Sequence, residues 1–338
     1  MTTGSVGTRV GSLVPGLLLL AGGAAGAHVL GSVVGVNRLL VAIAVGFVLS
    51  NTVGVPTAAD AGVATHDRWL SAGIVLMGAS VTVGTFLDAG STVLLVVLAV
   101  TGFTLLFVEL LARNLFGLVD RFGSLLAAGA SICGVSAVVG VAGAVRAQRE
   151  QIAYAAATIL LLDAVTIVAY PIVGEFLGLS STVFGIWAGV SMFSTGPVVA
   201  VGFAHSEVAG QWATVTKLAR NALIGVVVLG YASYYARVDG DGDGDGGVSV
   251  RTLWEQFPTF VLGFLGVALL ASVGLIPPAQ RALLGDASDW LFLLAFVGLG
   301  TEIRVGELRR AGVKPALIVF VALLAASSLS LAVLTALF

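Results

Sequence analysis

Apolar residues run in long unbroken stretches along this chain, and polar residues fall mainly between them. Eleven stretches read as membrane spans: 10–34, 39–56, 69–86, 91–112, 123–145, 152–173, 183–204, 211–235, 256–276, 288–303 and 313–337. A spanning helix needs about 20 largely apolar residues. The stretches lack the alternation of a transmembrane barrel, which shows roughly 10-residue alternating segments. The expected fold is an all-α polytopic membrane protein of about eleven transmembrane helices, forming one membrane domain over 1–338 in the lipid bilayer. The first stretch is too long for a signal-peptide core and more spans follow it, so it reads as a retained helix.

Composition agrees. Hydrophobic residues make up 58% and charged residues 10%, against about 45–50% and about 25% in soluble domains. Sixteen basic and eighteen acidic side chains cannot cover a water-soluble fold of 338 residues, and disorder is excluded on the same ground. The mean hydropathy is +1.07. A net charge of −2 gives no footprint for nucleic acid. Cys133 is the single cysteine, so no internal disulfide forms and no metal-ligand spacing exists. The 45 glycines predict close helix packing.

With eleven crossings, ten basic residues fall on the side of the N-terminus: Arg9, Arg68, Arg113, Arg121, Arg237, Arg251, Arg304, Arg309, Arg310 and Lys314. Four fall opposite: Arg38, Arg146, Arg149 and Arg281. The positive-inside rule then predicts a cell-membrane protein with a cytoplasmic N-terminus and an external C-terminus. The longest connection, 237–251, carries DGDGDGG and reads as a flexible acidic linker. Its Asp-x-Asp-x-Asp spacing lacks the glutamate that a calcium loop needs at its twelfth position. Two internal echoes stand out. AGASICGVSAVVGV (128–141) aligns with AGVSMFSTGPVVAV (188–201), and 74–90 aligns with 296–312. Opposite crossing senses make the second pair a candidate inverted repeat. The first pair lies on spans that cross in the same sense.

Depth selects the candidate chemistry. Asp163 lies mid-way along 152–173, and Arg220 and Lys217 lie at similar depth in 211–235. An ionisable group there is costly and needs a partner or a cavity. Asp163 pairing with Arg220 or Lys217 is either an ion-coupling site or a pair that locks two helices. Helix breakers cluster at the same depth: Gly129, Ser131, Cys133, Gly134 and Ser136 in one span, Ser191, Ser194, Thr195, Gly196 and Pro197 in another. Broken helices offer free N–H groups to an anion; close packing of small residues is the competing account. Glu302 is either a coupling carboxylate or a residue reaching back to the interface. Glu109 with Arg113 four residues on reads as a structural pair. His28, His66 and His205 lie near helix ends or in loops and read as solvated. No H-E-x-x-H, Walker or G-x-S-x-G motif is present, so nothing points to an enzyme or an ATP pump.

SICGVSA at 131–137, Ala157-Thr158, Tyr170-Pro171, Gly185-Ile186, Val198 to Gly202 and the Lys217/Arg220 pair in KLAR together resemble the YeiH-like sulfate exporter family, over roughly 65–335. The resemblance implies membership of the cation/proton antiporter and anion transporter superfamily. It further implies inverted repeats, two discontinuous helices crossing near Cys133 and Gly300, and elevator-type alternating access. The chain departs from the family at Phe193, Ser194 and Pro197, where members carry a histidine–acid pair and glutamine, and at Asp163, where members tend to have glycine.

The expected function is secondary transport of a small anion: sulfate, sulfite or an organic sulfonate. Ser131, Cys133, Gly134, Ser136, Ser191, Ser194, Thr195, Lys217 and Arg220 would bind it. Asp163 and Glu302 would carry H+ or Na+ linkage, with no other cofactor. A homodimer is the candidate assembly. A cation/proton antiporter and a non-transporting receptor or assembly subunit are the rival readings.

Overall fold

A computed structural model describes residues 4–81, 83–239, 259–308 and 312–338; side chains are described from residue 12 onward, excluding 82–89 and 307–311. The described residues are helical, with no strand among them. The helices are α1 (Gly4–Val34), α2 (Arg38–Thr52), α3 (Thr57–Val63), α4 (His66–Met77), α5 (Val83–Leu110), α6 (Asp120–Ser131), α7 (Val135–Ala142) and α8 (Arg149–Phe176). They continue with α9 (Ser181–Ser191), α10 (Thr195–His205), α11 (Glu207–Asn221), α12 (Ile224–Val238), α13 (Phe260–Ser272), α14 (Pro278–Glu302), a single turn at Val305–Leu308, and α15 (Val313–Leu337). Six helical segments are long and apolar enough to cross a membrane: Ser12–Val34, Gly90–Leu115, Arg149–Phe176, Glu207–Val238, Pro278–Glu302 and Val313–Leu337.

The chain packs as two compact units. Unit 1 comprises Met1–Phe86 and Phe260–Val305; unit 2 comprises Leu87–Thr259 and Gly306–Phe338. In unit 1, α14 packs against α2 and α4. A Cβ on Gly46 would lie 2.0 Å from the Val297 carbonyl, and one on Gly300 would lie 2.1 Å from the Ile43 carbonyl. Backbone therefore touches backbone, as small residues permit. Asn51 clamps the end of α14, donating to the Ile303 carbonyl at 2.7 Å and accepting from the Val305 amide at 2.9 Å. Arg38 pairs with Asp289. Helix α14 stays helical through Gly300, so the break expected there is absent: Gly300 packs against α2 instead of unwinding.

Unit 2 holds the larger correction. The spans expected over 123–145 and 183–204 do not cross; each doubles back at its middle. Arg121, at the start of α6, donates to the Arg146 carbonyl at 3.4 Å. A straight helix would hold those two residues roughly 37 Å apart. Both arginines also reach Asp239, at 2.7 and 3.4 Å. Likewise Ser206 donates to Ser181 at 2.9 Å, and the His205 and Phe184 rings stack 4.0 Å apart. Helices α6–α7 and α9–α10 are thus re-entrant hairpins. Their bases lie at opposite ends of α8, one beside Arg149 and the other just beyond Phe176.

Smaller differences follow the same logic. Helix α5 begins at Val83 and runs on through Gly90, so the break between the third and fourth expected spans does not fall near residue 88. The 211–235 span is two helices, α11 and α12, and α11 starts from the end of α8 opposite to the expected one, since the hairpin returns the chain to the side it came from. Of the 237–251 linker, residues 240–251 lie outside the described residues.

Glycine contact in unit 1 is testable. Gly300→Ala forces α2 and α14 apart, at about 1–3 kcal/mol for overpacking. Thermal unfolding in detergent should fall by several degrees. Gly22→Ala, where an added Cβ meets nothing within 4 Å, should leave it unchanged.

Candidate functional site

The hairpin tips meet half-way along α8. Gly134, with φ +71°, is the turn residue of hairpin 1; a Cβ there would sit 2.0 Å from Ser194 Oγ, at the tip of hairpin 2. Only glycine accepts both that backbone and that contact. Each tip exposes the same problem. The last carbonyls of α6 and α9 have no partner in their own helices, and they end in the protein interior.

Lys217 and Arg220, both fully buried on α11, supply the donors. Lys217 Nζ donates to the carbonyls of Ile132 at 2.7 Å and Met192 at 3.1 Å, and to that of Phe193. Arg220 donates from Nε to the Ser131 carbonyl at 2.5 Å, from Nη1 to Met192 at 2.6 Å and from Nη2 to Ala130 at 2.6 Å. Three carbonyl acceptors around one nitrogen require three N–H donors, which only the ammonium form has. The cations also sit at helix C-termini, where the macrodipole favours positive charge.

Asp163 meets the opposite pole. It is 3% exposed, and its Oδ1 accepts from the Ser194 backbone amide at 3.1 Å, at the start of α10. The expected pairing of Asp163 with Arg220 or Lys217 thus takes another form. The cations hold carbonyls, the carboxylate holds an amide, and all three converge on the two tips. Among the described residues of unit 2 these are the buried charged side chains, so two cations stand against one carboxylate.

The sequence-selected residues divide sharply. Ser136 is exposed, and Ser194 and Thr195 are half-buried. They flank the leading amides of α7 and α10, which have no acceptor within their own helices. Pro197 falls in the first turn of α10, where a missing N–H costs nothing; it starts a helix and does not break one. Ser131 and Ser191 do not present free hydroxyls. Ser131 Oγ reaches the Ala128 carbonyl at 3.5 Å. Ser191 donates to the Trp187 carbonyl at 2.5 Å and accepts from Tyr170 at 2.8 Å. Cys133 is buried at 9% exposure. Glu302 lies in unit 1, at the end of α14.

Asn221 is a further residue of the site, and His66 departs from its expected place. Asn221, next to Arg220, donates to Thr195 Oγ1 at 3.0 Å and fixes the mouth of α10; an amide beside the cationic pair was the available signal. His66 is 5% exposed, not solvated, and its Nε2 faces Glu302 Oε1 at 3.1 Å. No local pattern links positions so distant in sequence. The Glu109–Arg113 pair is present at 2.5 Å. Ser124, on α6, donates to Glu109 at 2.7 Å, as does Tyr231 from α12.

These features define a polytopic helical membrane protein with two re-entrant hairpins meeting at a buried cation pair. The family described as Conserved hypothetical protein 698 matches residues 15–319, and the chain belongs to this YeiH-like family of membrane proteins. A UPF0324 membrane protein of Nitratidesulfovibrio vulgaris is 32% identical over 81% of this chain and 76% of its own. One of Agrobacterium fabrum is 29% identical over 82% and 77%, and one of Clostridium tetani 27% over 75% and 75%. No solved structure matches.

Lys217→Met takes the lysine donor from the Ile132 and Phe193 carbonyls, each at about 1–3 kcal/mol, while Met192 keeps Arg220. The tips should open: thermal unfolding falls, and maleimide labelling of Cys133 accelerates at least tenfold over wild type. An unchanged labelling rate would contradict the role given to Lys217.

Proposed function

We propose that the protein is a secondary transporter of a small anion, in the class of sulfate, sulfite or organic sulfonates, working by alternating access. The observation that carries this reading is the electrostatics of the tips. An excess positive charge is buried, and the leading amides of α7 and α10 start beside the exposed Ser136 and the half-buried Ser194 and Thr195. Helix N-termini and positive charge favour an anion. Gly134, Ser136, Ser194 and Thr195 form the contact surface, with Cys133 behind them. Lys217 and Arg220 act through the field they impose and the tips they hold, with Ser131 and Ser191 supporting the tips from inside. Asp163 carries the H+ or Na+ linkage, and Glu302, beside His66, is a second titratable candidate in unit 1.

Nine crossings and two re-entrant hairpins make up the transporter domain, 1–338. The hairpins move Arg146 and Arg149 to the side of Arg121. Counted so, twelve basic residues lie on the side of the N-terminus and two, Arg38 and Arg281, lie opposite, which supports a cytoplasmic N-terminus in the cell membrane. The hairpins also reconcile the 128–141 and 188–201 echo with inverted repeats, because the two tips enter from opposite ends of α8. A homodimer remains the assembly proposed.

Solid-supported-membrane electrophysiology on reconstituted protein tests the reading, with jumps of sulfate, sulfite, sulfonates, carboxylates, Na+ and pH, and with radiolabelled sulfate flux to catch electroneutral exchange. Anion-specific transport is expected in wild type and should fall at least a hundredfold in Gly134→Ala, whose Cβ would strike Ser194. Transport that follows only Na+ or pH selects a cation/proton antiporter. Anion binding without flux selects a receptor.

A further inference from the structure

Resting on the anion reading above, we infer that Asp163 trades a proton against one unit of anion charge: a monoanion binds at the hairpin tips with Asp163 ionised, and a dianion binds with Asp163 protonated. The inference deepens that reading by fixing how ligand charge and proton binding are linked.

Charges as deeply buried as those of Asp163, Lys217 and Arg220 must come close to balance. Lys217 holds three carbonyls and is therefore an ammonium, and a guanidinium such as that of Arg220 stays charged. Both interact electrostatically with Asp163. The other titratable groups at the tips are Tyr170 on α8 and the thiol of Cys133 on hairpin 1. Helices α9, α10 and α15 bring no charged residue to this depth; His205 lies at the base of hairpin 2 and Lys314 at the start of α15. The two helix C-termini and two helix N-termini at the tips offset one another. What is left is a single excess positive charge, and one monoanion neutralises it. A dianion would leave an uncompensated negative charge, and an unpaired charge in a low-dielectric interior is strongly disfavoured.

Geometry singles out Asp163 as the proton acceptor. Its carboxylate already occupies an anion's place, since Oδ1 takes the Ser194 amide at the N-terminus of α10. A dianion seated at the same tips lies next to that carboxylate, and two like charges sharing a site raise the proton affinity of the titratable one. Protonation can leave Oδ1 as the acceptor for the Ser194 amide, so the tip keeps its shape while its charge changes. One proton from bulk water joins the carboxylate per dianion bound, and no other bond forms or breaks.

The experiment is a proton count. Sodium sulfate, a dianion near neutral pH, or sodium methanesulfonate, a monoanion, is added to purified protein in weakly buffered detergent carrying a pH indicator; calorimetry reads binding in parallel. Wild type should take up about one proton per sulfate bound and none per methanesulfonate. Above the titration of Asp163 its sulfate affinity should fall tenfold per pH unit. Asp163→Asn keeps a side-chain carbonyl for the Ser194 amide; it should bind sulfate with no proton uptake and no pH dependence. Sulfate binding to wild type without proton uptake overturns the inference, and this arm needs no variant. Uptake that persists in Asp163→Asn overturns the assignment to Asp163. Failure of both anions to bind overturns instead the anion reading on which the inference rests.

Discussion

Everything at the centre of unit 2 follows from one constraint: backbone carbonyls that end inside a membrane protein must find donors. Water is not there to supply them, and each orphan costs several kcal/mol in hydrocarbon. Two helices, α6 and α9, end at mid-depth, so their last carbonyls set the problem. The solution is a lysine and an arginine three residues apart on α11, one face of one helix. Six hydrogen bonds from two side chains close both hairpins at once. The cations are costly to bury, but the carbonyls are costly to leave bare, and each removes the penalty of the other.

The two cations are not equivalent. Arg220 lays a planar fork across Ala130, Ser131 and Met192, so it joins the hairpins with a fixed geometry. Lys217 is a point charge among three carbonyls drawn from both tips. Met192 accepts from both, which makes the hairpin 2 turn the shared node. Asp163 then serves the other half of the same accounting: α10 begins where α9 ends, and its first amide needs an acceptor. Positive side chains at helix ends and a negative one at a helix start are what the macrodipole favours. The residual charge follows from the donor and acceptor count.

Much of this was legible in the sequence. Composition fixes the membrane class, and hydropathy locates nearly every helix. Depth alone brought Asp163, Lys217, Arg220 and the two breaker clusters to one level. What the sequence could not show was direction. An apolar stretch of about 22 residues with glycine and serine at its centre has the same hydropathy whether it crosses or turns back. The contacts that distinguish the two, Arg121 with Arg146 and Ser181 with Ser206, join hairpin bases 25 residues apart. Reversal also changes what each side chain does. Serines expected to greet a ligand, Ser131 and Ser191, are buried at the ends of α6 and α9, while Ser136 and Thr195 come after the turn, one exposed and one half-buried. Pro197 misleads for a related reason: the same lost N–H that breaks a helix interior suits a first turn.

Among its described residues, unit 1 meets the problem of helix ends without a buried lysine or arginine, and the contrast explains why charge collects where it does. Its helix α14 runs unbroken, so its last carbonyls lie near the end of the helix. There a neutral amide, Asn51, takes the Ile303 carbonyl and the Val305 amide together. Glycine contact between α2 and α14 does the rest, because helices whose backbones touch hold each other by packing alone. His66 and Glu302 meet at the rim of this unit, with the carboxylate 43% exposed. Among the described residues, the buried lysine, arginine and carboxylate thus gather where helix ends are driven to mid-depth. A fold that used only spanning helices would have no reason to carry Lys217 and Arg220 inside it; their burial is itself the sign that backbone there is doing something other than crossing.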